Sequence, residues 1–535
     1  MRCRRTATLV LISLASLCTL TARSTAAESA ERPNLLVIQT DEHNFRTLGC
    51  YRAHLPHEQA EIWGPGVIVE TPHIDRLARE GAICDRYYAT SPVCTPSRAS
   101  LVSGRYPQNT GAIQNDRPML DSVVTFAAVA QQNGYATGYA GKWHLDGDAK
   151  PGWTPARQFG FADNLYMFNR GHWKQLADTP AGPKVKAVDA KGNPSYDVKG
   201  ADAESFTTDF LTDKTVEFIR KNARQPFCYM VSIPDPHGPN TVRPPYDTMF
   251  DHLKFEQPKT AALEAENMPN WGTTAPDKFS PKQMSLYFGM VKCIDDNVGR
   301  ILAALEKEGI FDRTIVVFTA DHGDMCGEHG RHNKGIPLES SARIPFVIRF
   351  PAKINPGTVV RPMLGTVDFK PTILSLMGLK SDESVQGRDA SRLFLPEGDA
   401  SWSDVGFVRI GGWCGAFTQR YKLVVAPNTE PALLDLEKDP DELKNFFLDP
   451  AYRETVRTLG RALRDYCQKY NEPLFESAAV QADLNWAAEG TGPYVAPERS
   501  APAAGKKAKA AKGQAAKGKA AKGKGKGKRA VAEDE

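Results

Sequence analysis

Arg32-Pro33-Asn34-Leu35-Leu36-Val37-Ile38-Gln39-Thr40-Asp41-Glu42-His43 decides the fold of this 535-residue chain. Its apolar centre, Leu35 to Ile38, is a short unbroken run of the kind that forms a strand buried on both faces, and it stops at two acids and a histidine. Two later runs repeat the pattern. Phe227-Cys228-Tyr229-Met230-Val231-Ser232-Ile233 leads to Pro236-His237, and Thr314-Ile315-Val316-Val317-Phe318 leads to Asp321-His322-Gly323-Asp324. Residues 286–307 carry helical periodicity through Tyr287, Met290, Val291, Ile294, Val298, Ile301, Leu302 and Leu305, closed by Gly309. Apolar strands alternating with helices predict an α/β sheet covered on both faces, whose polar strand ends gather at one rim and form the site.

A Gly-, Asp- and Ser-rich stretch, residues 384–404, marks a boundary. Beyond it, residues 408–410, 421–425 and 432–436 read as short strands, followed by a turn at Asp439-Pro440 and a helix over about 451–470. No repeat of solenoid or propeller period is present.

Cys94-Thr95-Pro96-Ser97-Arg98, followed by Leu101-Val102-Ser103-Gly104-Arg105-Tyr106-Pro107, resembles the signature of type I sulfatases, Cys/Ser-x-Pro-x-Arg with a downstream Thr/Ser-Gly-Arg-Tyr-Pro element. Gly141-Lys142-Trp143-His144, Pro236-His237-Gly238-Pro239, Lys334 in Arg331-His332-Asn333-Lys334-Gly335, and Leu434-Asp435-Leu436-Glu437-Lys438-Asp439-Pro440 resemble further elements of that family, in family order. The resemblance spans roughly residues 33–475. It implies an alkaline-phosphatase-like sandwich: a large mixed, mainly parallel sheet between helices, plus a smaller C-terminal α+β domain with a short antiparallel sheet.

The resemblance also implies a chemistry. A maturase oxidises the motif cysteine, here Cys94, to formylglycine. Hydrated, that aldehyde carries two hydroxyls on one carbon; one attacks the sulfur of a sulfate ester and the other later expels sulfate, so one hard step becomes two easier ones. Pro96 and Ser97 fit a tight turn before a helix, and Arg98 fixes the nucleophile and offers charge to an anion. A hard divalent cation, calcium or magnesium, sits at the strand ends with Asp41, Glu42, Asp321 and His322 as ligands, joined by the side chain at position 94. Glu42 departs from the family's commoner Asp-Asp pair. Lys142 and Lys334 contact sulfate, His144 is the base that releases it, and His237 is the acid or hydrogen-bond donor to the leaving alcohol. Acidic pairs at strand ends are also ordinary caps, and it is the set of motifs together that favours the functional reading.

Other residues are less determined. His43, His172, His329 and His332 are candidates for substrate contact, whereas His54, His57, His73 and His252 read as surface positions. Arg170, Trp173 and Trp413 line the substrate mouth or pack a domain interface.

The ends differ from the rest. Arg2, Arg4 and Arg5 precede an apolar run over residues 7–20 and small residues at 24–27, a signal peptide over residues 1–27. Cys18 invites a lipoprotein reading, but Leu17 suits it poorly, so cleavage and a secreted or periplasmic protein without stable membrane insertion are expected. Residues 501–535 are Lys-, Ala- and Gly-rich, with net charge +8, and lack the apolar residues to offset ordering. The signal carries +4, so residues 28–500 hold about −8 of the chain's +4. A nucleic-acid enzyme is not indicated. The tail either contacts polyanions electrostatically or serves solubility alone. The expected organisation is a catalytic domain at 33–395, a C-terminal subdomain at 400–475, an extension at 476–500 and the tail.

Eight of the ten cysteines lie beyond the signal, with no close spacing, which excludes a disulfide framework and a zinc site while leaving one or two unpaired bridges open. The expected substrate is a sulfated small molecule or carbohydrate. The alternatives are a phosphatase or phosphonate monoester hydrolase of the same superfamily, or a non-catalytic protein binding sulfated glycans.

Overall fold

The computed structural model describes residues 32–269, 271 and 278–499. The signal peptide and the lysine-rich tail lie outside them. The run at Leu35 is strand β1 (Asn34–Asp41), buried along its whole length. With β2 (Ala82–Cys84), β3 (Ala136–Lys142), β4 (Met167–Phe168), β5 (Phe227–Pro236), β6 (Thr314–Ala320), β7 (Phe346–Arg349) and β8 (Thr358–Val360) it forms an eight-stranded sheet in the order β8-β2-β7-β6-β1-β5-β3-β4. β1 is central and runs parallel to both neighbours, with Leu36 opposite Tyr229 on β5 and Val316 on β6. Only β7 runs antiparallel to its neighbours.

The period-two alternation of these strands builds two cores, one on each face. Leu35, Val37, Cys228, Met230, Ile315 and Val317 point to one face. Leu36, Ile38, Tyr229, Val231, Val316 and Phe318 point to the other. The second face is covered by α1 (Pro72–Arg79), by α4 (Thr207–Asn222) through Leu211 and Ile219, and by α5 (Pro281–Lys307) through Ile294, Val298 and Ile301. The first is covered by α2 (Cys94–Ser103), α3 (Phe126–Gln132) and α6 (Phe369–Leu376). Helix α5 extends the expected periodic segment backward because Ser280 caps it, its side chain accepting from the Gln283 amide, and Pro281 fits the first helical position.

The smaller sheet is an antiparallel meander of β9 (Gly406–Arg409), β10 (Cys414–Phe417), β11 (Tyr421–Ala426) and β12 (Thr429–Asp435). Strand β10 was not expected from the sequence; four residues with a glycine carry too little pattern. Helices α7 (Arg453–Lys469) and α8 (Ala478–Glu489) pack on this sheet through Leu459, Leu463, Val480 and Leu484. The expected extension therefore contributes core side chains.

Arg409 on β9 and Glu472 after α7 form a bidentate pair, both contacts 2.9 Å, with both side chains essentially inaccessible. Glu472→Ala leaves the guanidinium buried and unpaired, and should cost about 3–5 kcal/mol, read as a lowered denaturation midpoint of the C-terminal sheet.

Candidate active site

Four strand ends and one helix start meet at a single rim. At the end of β1 the pairing with β5 shifts register between Thr40 and Asp41. The Asp321 amide donates to Thr40 O at 3.1 Å and the His43 amide to His322 O at 2.9 Å, stitching the turn after β1 to the turn after β6. β5 delivers His237. β3 delivers Lys142 and then His144, whose backbone takes a left-handed φ of 60°. Helix α2 begins at Cys94 itself, placing the thiol at the positive end of the helix. Pro96 and Ser97 lie in its first turn rather than before it, where a proline costs no intrahelical bond.

Asp41, Cys94, Asp321 and His322 are buried, with one potential ligand atom each, all within 4.8 Å of one another. His322 Nε2 lies 3.6 Å from Oδ1 of both aspartates and 3.1 Å from Cys94 Sγ. Its Nδ1 faces Gly323 O at 3.0 Å; with the proton there, the Nε2 lone pair points at the carboxylates. Two carboxylate oxygens and an imidazole nitrogen at this spacing fit a hard divalent cation, whose oxygen ligands lie at about 2.3–2.6 Å.

Arg98 sits one turn along α2. Its Nε and Nη2 donate at 2.9 Å to Asp321 Oδ2 and Asp41 Oδ2, and Nη1 donates to Gln39 Oε1, Lys142 O and Ser232 Oγ. The guanidinium is thus spent on the protein. It locks the outer oxygens of both aspartates and turns the inner ones toward His322. Burial alone would push the Asp41 carboxyl up, but Lys142 and Arg98 outweigh it and hold the group well below the usual carboxylate range.

Glu42 stands outside this cluster. Its Oε2 lies 3.1 Å from His237 Nε2 and its Oε1 3.2 Å from Lys334 Nζ. Asp41, His172 and His237 form a second close group of potential ligands. There Lys142 Nζ lies 2.7 Å from Asp41 Oδ2 and 2.6 Å from His172 Nε2, so a fixed ammonium already supplies the positive charge. The His172 and His237 rings stack with centroids 3.5 Å apart. Burial, together with neighbouring positive charge, holds both well below the ordinary histidine value. His237 Nδ1 faces Gly238 O at 3.0 Å, and Lys334 Nζ donates to Nε2 at 2.7 Å.

The structure therefore brings Asp41, Cys94, Arg98, Lys142, His237, Asp321, His322 and Lys334 into one contact network. His172 joins it, on no stronger signal than its place two residues after Arg170. His43 does not. It is buried between Thr40 Oγ1 and Thr47 Oγ1, burial holds it at about 3, and it braces the turn after β1 rather than contacting substrate. The smaller sheet also reaches the rim: Trp413 Nε1 donates to Gly335 O and Lys422 Nζ to Pro337 O, both at 3.0 Å, fixing the loop that carries Lys334. A 320 Å³ cavity lined by Cys50, His54, Asp75 and Arg79 includes none of these site residues.

A buried cysteine at a helix start, facing strand-end carboxylates and lysines, is the arrangement that the sequence's resemblance to sulfatases, members of the alkaline phosphatase superfamily, leads one to expect. Residues 33–379 match the family described as Sulfatase, and residues 327–469 match N-sulphoglucosamine sulphohydrolase, C-terminal. An N-acetylglucosamine-6-O-sulfatase of Bacteroides thetaiotaomicron is 25% identical, covering 86% of this chain and 91% of that protein. An ulvan-active sulfatase of Formosa agariphila is 30% identical over 69% of this chain and 66% of its own length. The crystal structure of a putative sulfatase, yidJ, from Bacteroides fragilis superposes with a TM-score of 0.67 at 26% identity, covering 84% of this chain and 98% of the other. The chain belongs to the sulfatase family. It is a sulfuric ester hydrolase.

Because Arg98 is the shared partner of two buried carboxylates, Arg98→Met in chelator-treated protein should lose about 3–5 kcal/mol. Thermal unfolding measures this, and added calcium should restore part of the loss.

Proposed function

We propose that this protein is exported and cleaves sulfate monoesters of sulfated carbohydrates, using a formylglycine made from Cys94 and a divalent cation held by Asp41, Asp321 and His322. The observation that carries the reading is the buried cluster formed by Cys94 and those three donors, with Arg98 fixing the carboxylates from the same helix. Formylglycine supplies a hydrated aldehyde whose hydroxyl is the nucleophile; the cation, calcium or magnesium, offsets charge on sulfate. Glu42, kept as a ligand candidate by its place beside Asp41, reaches the site through His237 and Lys334 instead.

Each remaining residue has a task its contacts permit. Lys142 and Lys334 present ammonium groups to the sulfate oxygens. The Lys334–His237 hydrogen bond makes that pair the proton source for the departing alcohol. His144 accepts the proton whose removal frees sulfate and restores the aldehyde. Cys94 is 2% exposed, so a maturase reaches it before folding closes the rim. Carbohydrate as substrate class rests on the names of the two relatives, one an N-acetylglucosamine-6-O-sulfatase and the other ulvan-active. The division into a catalytic domain at 33–395 and a C-terminal subdomain at 400–475 belongs to the same reading, supported by the small sheet's core of Leu423, Leu433, Leu459 and Leu463, which Tyr106 and Val367 of the larger region also enter. Export rests on residues 1–27, outside the described structure; among the described residues no helix is long and apolar enough to cross a membrane.

Protein made beside a competent maturase should yield a tryptic peptide with aldehyde or hydrate mass at position 94, and Cys94→Ala should be folded and inactive. Fully active enzyme carrying only thiol at Cys94 would falsify the mechanism. Chelation should abolish turnover and calcium or magnesium restore it, with Asp41→Asn and Asp321→Asn at least tenfold more damaging than Glu42→Gln. Across a panel of defined sulfated mono- and oligosaccharides, kcat/KM should exceed that of the matching phosphate esters. The reverse preference moves the protein to the phosphatase or phosphonate hydrolase class.

A further inference from the structure

His144 is 5% exposed and pinned on three sides. Its amide donates to Asn169 O at 2.7 Å, and its carbonyl accepts from Thr95 Oγ1 at 3.0 Å, within the Cys94 motif. The third contact is from the ring: Nε2 lies 3.1 Å from Asp116 Oδ1. That carboxylate oxygen is itself 2.9 Å from Arg170 Nε, on the segment that also carries His172. The other ring nitrogen, Nδ1, is buried and meets no hydrogen-bond partner among the described residues.

From this geometry we propose that Asp116 is a positioning residue for His144, fixing the neutral ring with its proton on Nε2 and its lone pair on Nδ1. The inference rests on the reading of His144 as the base that frees sulfate. A carboxylate accepts only, so the ring nitrogen facing it must donate. The tautomer follows, and Nδ1 is left as the basic atom. When Nδ1 takes a proton the ring becomes a cation 3.1 Å from a carboxylate, which stabilises the charge that forms. Arg170 keeps Asp116 aimed at the ring. The Asp116 carboxyl lies below its ordinary value, chiefly through the hydrogen bond with His144, consistent with an ionised acceptor. Asp116 lies before Arg117-Pro118 in a loop with no periodic pattern, so nothing in the sequence marks it.

Two measurements test this. In Cys94→Ala protein labelled with 15N-histidine, two-bond 15N–1H correlations assigned through His144→Gln should show Nε2 protonated and Nδ1 bare. Asp116→Ala should shift that population toward the other tautomer. In formylglycine-confirmed enzyme, Asp116→Ala should preserve a first-turnover burst of aryl alcohol from an aryl sulfate while slowing the steady state by about 10- to 100-fold. A purely structural role lowers burst amplitude and steady rate together. Either that parallel loss, unchanged turnover, or an Nδ1-protonated ring insensitive to Asp116→Ala overturns the inference. His144→Ala separates the two failures. If it shows the burst-and-stall split and Asp116→Ala does not, only the role of Asp116 falls; if His144→Ala shows no split, the reading of His144 falls and the inference with it.

Discussion

The rim depends on one guanidinium. Arg98, one turn into α2, joins that helix to the ends of two adjacent parallel strands by donating to Asp321 and Asp41 at once. Those carboxylates lie in a region without solvent, where isolated charges are costly. Paired with Arg98 and Lys142, Asp41 is held well below the usual carboxylate range and keeps Oδ1 turned toward His322, while Asp321 Oδ1 accepts from the Glu42 and His322 amides. The same contacts seat α2 on the sheet and so set where Cys94 begins the helix. Cys94 and the Asp41–Asp321–His322 cluster are therefore tied together through one side chain.

Charge at the rim is arranged in two tiers. The inner tier holds Asp41, Asp321, Arg98 and Lys142, all inaccessible and mutually compensated. The outer tier holds Glu42, His237 and Lys334, with Lys334 bridging the other two. The tiers touch through the His172–His237 stack. The lysine ammonium groups of both tiers are thus already fixed by carboxylates or imidazoles.

The smaller sheet acts at this rim as well. Lys422, inaccessible on β11, pairs with Glu339 and Glu442 and also donates to the Lys334 loop, beside the Trp413 contact. A C-terminal module remote in sequence from Cys94 thereby holds the loop that carries Lys334.

The sequence by itself marked the central strands, because short apolar runs bounded by turn and polar residues, Leu35 to Ile38, Phe227 to Ile233 and Thr314 to Phe318, are of the kind that forms strands buried on both faces. It also determined the rim, since polarity at Asp41, His237 and Asp321 begins where each run stops, and the family motifs named Cys94, Arg98, Lys142 and Lys334. Only the tertiary structure decided how those residues divide their work. Arg98, expected to fix the nucleophile and offer charge to an anion, directs its donors to Asp41 and Asp321. Glu42 faces His237 and Lys334 although it adjoins Asp41, because successive residues past a strand end point in different directions, and its own φ of 61° turns it further. Of the histidines expected near substrate, His172 joins the rim network and His43 does not, and Asp116 faces His144. Such pairings join positions far apart in the chain through loops with no repeating pattern, so hydrophobic periodicity, which reports only what is buried, carries no record of them.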